Sequence, residues 1–213
     1  MELYLDSVNK EEINEALSIG IISGLTTTPT FMHREGIVDV DSAILELSKK
    51  VPILQIEALG RTSEEIIDEA YRQESLGLSR DTTVYKIPMS MEGVKACSYL
   101  TNLDFKVNLH LVYTLQQAYM AMEAGATYVC PLVGRLQDQG GDGLGLVKAM
   151  VDVTKEYGYD TKVMFSSVRT SQHVKEALKA GAHTITIPWK IMKQLTEHHL
   201  TTVHTEQFFQ HTK

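Results

Sequence analysis

Short β-branched runs alternate with longer amphipathic stretches eight times along this chain, and that alternation limits its folds more than any other feature. Strand-like segments are expected at Leu3–Asp6, Ile19–Leu25, Ile53–Ala58, Thr82–Pro88, Phe105–Val112, Tyr128–Leu132, Lys162–Ser167 and His183–Ile187. Helical stretches fall at 9–18, 40–50, 62–76, 91–102, 114–124, 146–157 and 170–180, with more helix after the last strand. Asn9 is placed as an N-cap, and Gly125 and Gly181 as stops. Short connections between alternating elements imply parallel strands and right-handed crossovers. With 213 residues, the expected fold is a minimal (β/α)8 TIM barrel in one domain, closed by a C-terminal helical tail. An open doubly wound sheet fits less well, because the turn after the first strand is Asp-Ser-Val-Asn and not glycine-rich.

In a barrel, the reactive end lies at the C-terminal ends of the strands. Those ends carry Asp6, Thr26, Thr28, Glu57, Lys86, Asn108, His110, Cys130 and Ser167. Period-two alternation puts Gln55 with Glu57, Val84 with Lys86, and Asn108 with His110 on shared faces. A lysine enclosed in a core is costly to keep charged, and a neutral amine is a nucleophile that condenses with a ketone. Taken alone, Lys86 also fits an edge strand facing water, and the cluster also fits a structural ion-pair network. Arg135 and Arg169 follow the sixth and seventh strands, where guanidinium groups can clamp a tetrahedral oxyanion. The glycines between 140 and 145 read as a turn.

The net charge of −7, with no basic block, argues against a nucleic-acid partner. The two cysteines, Cys97 and Cys130, form neither a disulfide framework nor a metal-type pair. No basic leader precedes MELYLD and no apolar run is long enough for a bilayer, so a cytoplasmic protein without membrane contact is expected.

Several motifs together resemble the small transaldolase and fructose-6-phosphate aldolase family, over nearly the whole chain. They are MELYLD, GLTTTPT, QIEALGRTSEE, VYKIPMSMEG, VNLHLVY, AGATYVCPLVGRLQDQGGDG and SSVRT. The resemblance implies a class I aldolase that works through a Schiff base on Lys86, with Glu57 and Asp6 as proton carriers. It implies no metal or organic cofactor. Glu57 falls on the transaldolase side, since the fructose-6-phosphate aldolases carry glutamine there. Thr26, Thr28, Asn108, His110, Cys130, Arg135, Ser167 and Arg169 are the implied substrate-binding positions. Thr28, His110 and Cys130 depart from the family's asparagine, threonine and serine. Intact catalytic positions with an altered pocket point to a 6-anionic ketose such as 6-deoxy-6-sulfofructose, with a pentose-phosphate transaldolase or plain aldolase as alternatives. A sugar-phosphate binding barrel without catalysis is the non-enzyme alternative. Relatives form decamers through a C-terminal segment, so a homo-oligomer is implied.

Overall fold

A computed structural model describes residues 1–212. Eight parallel strands close on themselves in sequence order. They are β1 (Glu2–Asp6), β2 (Gly24–Thr26), β3 (Leu54–Glu57), β4 (Thr83–Pro88), β5 (Lys106–Val112), β6 (Tyr128–Pro131), β7 (Lys162–Phe165) and β8 (Thr184–Ile187). Around them run α1 (Lys10–Ser18), α2 (Pro29–Arg34), α3 (Val40–Ser48), α4 (Ser63–Ser75), α5 (Met91–Thr101) and α6 (Leu115–Glu123). The series continues with α7 (Val133–Asp138), α8 (Gly143–Tyr157), α9 (Ser171–Ala180), α10 (Trp189–Gln194) and α11 (His199–His211). The chain is therefore a (β/α)8 barrel, as the alternation requires.

Local chemistry sets the element ends. Asn9 caps α1 by accepting from the backbone N–H of Glu11 and Glu12. Thr114 and Gln117 close a reciprocal capping box on α6. Gly181 ends α9 in the left-handed region, at φ +73°. The second strand is shorter and later than expected. Ile19 caps the end of α1, Gly20 turns the chain, and Ile19 and Ile21 are exposed. Their apolar run is a surface turn. The expected turn at 140–145 also yields to helix: Asp142 caps α8 by accepting from Gly145 N, and α8 begins at Gly143.

Outward-facing strand residues and the inner helix faces form one continuous core that includes Leu5, Leu25, Ile56, Tyr85, Leu109, Phe165 and Ile187. A second, smaller cluster fills the barrel's interior with Tyr4, Val84, Tyr128, Cys130 and Met164. The Tyr4 and Tyr128 hydroxyls meet at 2.9 Å. Gly24 makes room for Tyr4, since a Cβ there would lie 2.4 Å from its ring. Above them Asn108 donates from Nδ2 to Gln55 Oε1 at 2.7 Å. The interior is thus plugged below the C-terminal rim. Among the described residues no helix is long and apolar enough to cross a membrane. Helix α11 buries none of its residues and leaves Leu200, Phe208 and Phe209 exposed.

Candidate active site

Above the plug, the strand ends enclose a chamber of about 510 Å³ that opens at the rim. All eleven residues expected there line it: Asp6, Thr26, Thr28, Glu57, Lys86, Asn108, His110, Cys130, Arg135, Ser167 and Arg169. Parallel register brings them together. Glu57 pairs with Lys86 across β3 and β4, Lys86 with Asn108 across β4 and β5, and His110 with Cys130 across β5 and β6.

Lys86 is 4% exposed. Its Nζ donates to Glu57 Oε1 at 2.7 Å and to the carbonyl of Thr27 at 2.7 Å. A buried charge needs such partners. The second oxygen of Glu57 lies 2.9 Å from His110 Nε2, close but not in line for a full hydrogen bond. Burial raises the Glu57 carboxyl, yet His110 and Lys86 together outweigh it and hold the group below the usual range. Burial keeps His110 neutral, with Lys86 and Arg135 adding to that effect against the pull of Glu57. Asp6 opens on the chamber from the end of β1, and burial pushes its carboxyl up. Thr26 opposes that rise by donating to Asp6 Oδ1 at 2.8 Å. Burial also pushes the Cys130 thiol up, to about 11, so it stays protonated. No group of His, Cys, Asp and Glu able to hold a metal occurs among the described residues.

The positive corner is built by close backbone approach. Gly134 in α7 lies against the turn after β7, where an added Cβ would come within 2.1 Å of the Ser167 carbonyl oxygen. Ser167 itself is in the left-handed region at φ +60°, a strained state for a non-glycine residue. Arg135 and Arg169 are both exposed at the rim. Arg169 Nη1 donates to Asp138 Oδ1 at 2.5 Å, which ties back one guanidinium.

Sequence reasoning missed Thr27, Ser166 and Thr186, and the whole of α2 with Phe31 and Arg34. Phe31, Arg34, Ser166 and Thr186 line the chamber. Thr28 caps α2 by accepting from Phe31 N, and Pro29 starts the helix. A threonine followed by proline is a helix-start signal, so the sequence did hold the clue.

The transaldolase/fructose-6-phosphate aldolase family model matches residues 3–213. The chain belongs to this family. It is 39% identical over 209 residues to a probable transaldolase of Shouchella clausii (strain KSM-K16), covering 98% of this chain and 95% of that protein. It is 40% identical over 210 residues to a probable transaldolase of Thermoanaerobacter sp. (strain X514), with coverage of 98% and 95%. Probable transaldolase 2 of Bacillus anthracis is 36% identical over 215 residues, with coverage of 98% and 96%. The thiamine phosphate pyrophosphorylase structure from Pyrococcus furiosus superposes with a TM-score of 0.59 at 16% identity, covering 88% of this chain and 85% of that one. That likeness shows the barrel alone. Membership of the transaldolase/aldolase family makes the chain an enzyme that transfers dihydroxyacetone units.

Proposed function

We propose that this chain is a transaldolase that carries a dihydroxyacetone unit on Lys86, taking it from a ketose with an anion on carbon 6. The observation that carries the reading is the enclosed Lys86–Glu57 contact at 2.7 Å, in a chamber shared with Asp6 and the rim arginines. Glu57 takes a proton from the lysine ammonium, and the freed amine attacks carbon 2 of the ketose. The proton now on Glu57 and one more from the nitrogen pass to the former carbonyl oxygen, water leaves, and the iminium remains with Glu57 again a carboxylate. Asp6 accepts the proton of the carbon-4 hydroxyl. The electrons of the C3–C4 bond flow into the iminium, leaving an enamine on Lys86 and a free aldehyde. An acceptor such as glyceraldehyde 3-phosphate reverses these steps and forms fructose 6-phosphate.

The charge of the anion corner favours a sulfonate donor, 6-deoxy-6-sulfofructose, which would release sulfolactaldehyde. A phosphate monoester carries about −1.5 to −2 at pH 7, whereas a sulfonate carries a single charge. Asp138 offsets part of the charge of Arg169, and Ser167 adds a neutral hydroxyl to the chamber that Arg135 lines. The apolar side chains exposed on α11 support the homo-oligomer that the family resemblance implies.

Borohydride trapping tests the whole reading. With 6-deoxy-6-sulfofructose or fructose 6-phosphate, peptide mass spectrometry should find a reduced three-carbon adduct on Lys86. The specificity constant, with glyceraldehyde 3-phosphate as common acceptor, should be higher for the sulfonate. An adduct on another lysine, or none with any ketose, overturns the imine. A preference for fructose 6-phosphate overturns the sulfonate donor and leaves the imine standing.

A further inference from the structure

One oxygen of Glu57 is committed to Lys86. The other, Oε2, is buried and makes no aligned hydrogen bond, and neither does His110 Nε2, which faces it at 2.9 Å. Two bare lone pairs at that separation would repel, so a proton must lie on one of the two atoms. A buried polar atom is costly without a partner, and these two are each other's nearest solution.

The fold works to place this ring. His110 stands at the last regular position of β5, opposite Cys130, and the pairing slips between His110 and Val112. Leu111 between them is in the left-handed region at φ +58°, a strained state for a leucine. Bulges of this kind re-aim neighbouring side chains at active sites. His110 is 8% exposed. The charged and titratable groups that bear on it are Glu57 from β3, Lys86 from β4, Arg135 from α7 and the Cys130 thiol from β6.

We propose that His110 is a positioning residue for imine formation, donating its Nε2 proton to Glu57 Oε2 so that Oε1 stays on Lys86 and Glu57 gives up its proton readily. This rests on the imine reading above. In the resting site the ring is neutral and the carboxylate is held by one partner on each oxygen. When Oε1 takes a proton from the lysine, the imidazole N–H still stabilises the conjugate carboxylate. That makes protonated Glu57 a stronger acid toward the departing hydroxyl of the carbinolamine. The imidazole keeps its own proton throughout, so atoms and charge balance without it.

Dihydroxyacetone isolates the step, because it forms the imine without C–C cleavage and so without Asp6. The measurement is the rate of borohydride-trapped adduct on Lys86 against pH. His110→Phe should slow trapping by about ten- to a hundredfold, the loss of a hydrogen bond to a charged group. Its acid limb should move to higher pH, since Glu57 then binds its proton more tightly. His110→Gln, whose amide N–H can reach the same oxygen, should recover part of the rate and return the limb toward the parent. Added to Glu57→Gln, His110→Phe should cause little further loss. Additive losses, or an unmoved acid limb in folded variants, would show that His110 does not act through Glu57. No adduct in the parent protein would instead fail the imine reading itself.

Discussion

Asp6 shows how the site trades stability for chemistry. Its carboxyl opens on the chamber but is otherwise enclosed, and burial raises it above the ordinary 3.8 against the pull of Thr26 and Lys86. A carboxyl raised on folding binds its proton more tightly in the native state. Stability therefore falls as pH rises from 3.8 through the native value, and the cost is fully present above it. Asp6→Asn should raise the melting temperature at neutral pH, and that gain should fade as the pH approaches 3.8. Transfer should drop by about 10²–10⁴-fold in the same protein if Asp6 is the general base. Thermal melts across pH, with parallel transfer assays, check both. A neutral or destabilising Asp6→Asn at pH 7 would show that the carboxylate is well satisfied where it is. Most residue identities at this scale were legible in the sequence, because polar residues gather at one end of most of the strands, and the family motifs carry the same positions; Ser166 and Thr186 were not. Nor were the pairings. That Glu57 would be shared between Lys86 and His110, or that Arg169 would be held by Asp138, depends on register and rotamer.

At the scale of elements, the loops after the strands do the fine placement. Thr28 stands where relatives in the resemblance carry asparagine, and both residues are good N-caps. Thr28 holds the start of α2 through its hydroxyl, which accepts from Phe31 N, while the residue also lines the chamber. Gly134 is the tightest joint. Gly134→Ala would put a Cβ 2.1 Å from the Ser167 carbonyl and 3.1 Å from Arg169 Nε, so the turn after β7 must move. Overpacking of this kind costs about 1–3 kcal/mol, which denaturant unfolding can measure. The Michaelis constant for the anionic donor should rise while kcat changes less, since the anion corner shifts and Lys86 does not. An unchanged Michaelis constant in a folded variant would show that the anion is held elsewhere. Strand and helix order was readable from periodicity alone, but two short helices were not. Helices α2 and α7 each span six residues, too few for an amphipathic period to show. The Ile19–Leu25 run misled for the opposite reason, since Ile19 and Ile21 are apolar without being buried.

For the molecule as a whole, eight alternations in 213 residues left few alternatives to a closed barrel, and the ring closes β1 on β8 as that topology demands. The sequence could not show how the interior is stopped. The Tyr4–Tyr128 hydroxyl contact depends on a glycine on β2 opposite Tyr4, and the Gln55–Asn108 pair joins β3 to β5 over the intervening β4, a contact made inside the barrel and not along its wall. That stopper has a kinetic consequence. A chamber with a floor has one door, so whatever enters toward Lys86 must leave by the way it came. On the mechanism proposed above, both aldehydes use the same anion corner, so the first has to leave before the second can take its place beside the enamine. Initial rates at several fixed acceptor concentrations should therefore give parallel double-reciprocal lines, the mark of a substituted-enzyme exchange. Intersecting lines would mean that the barrel admits both aldehydes at once.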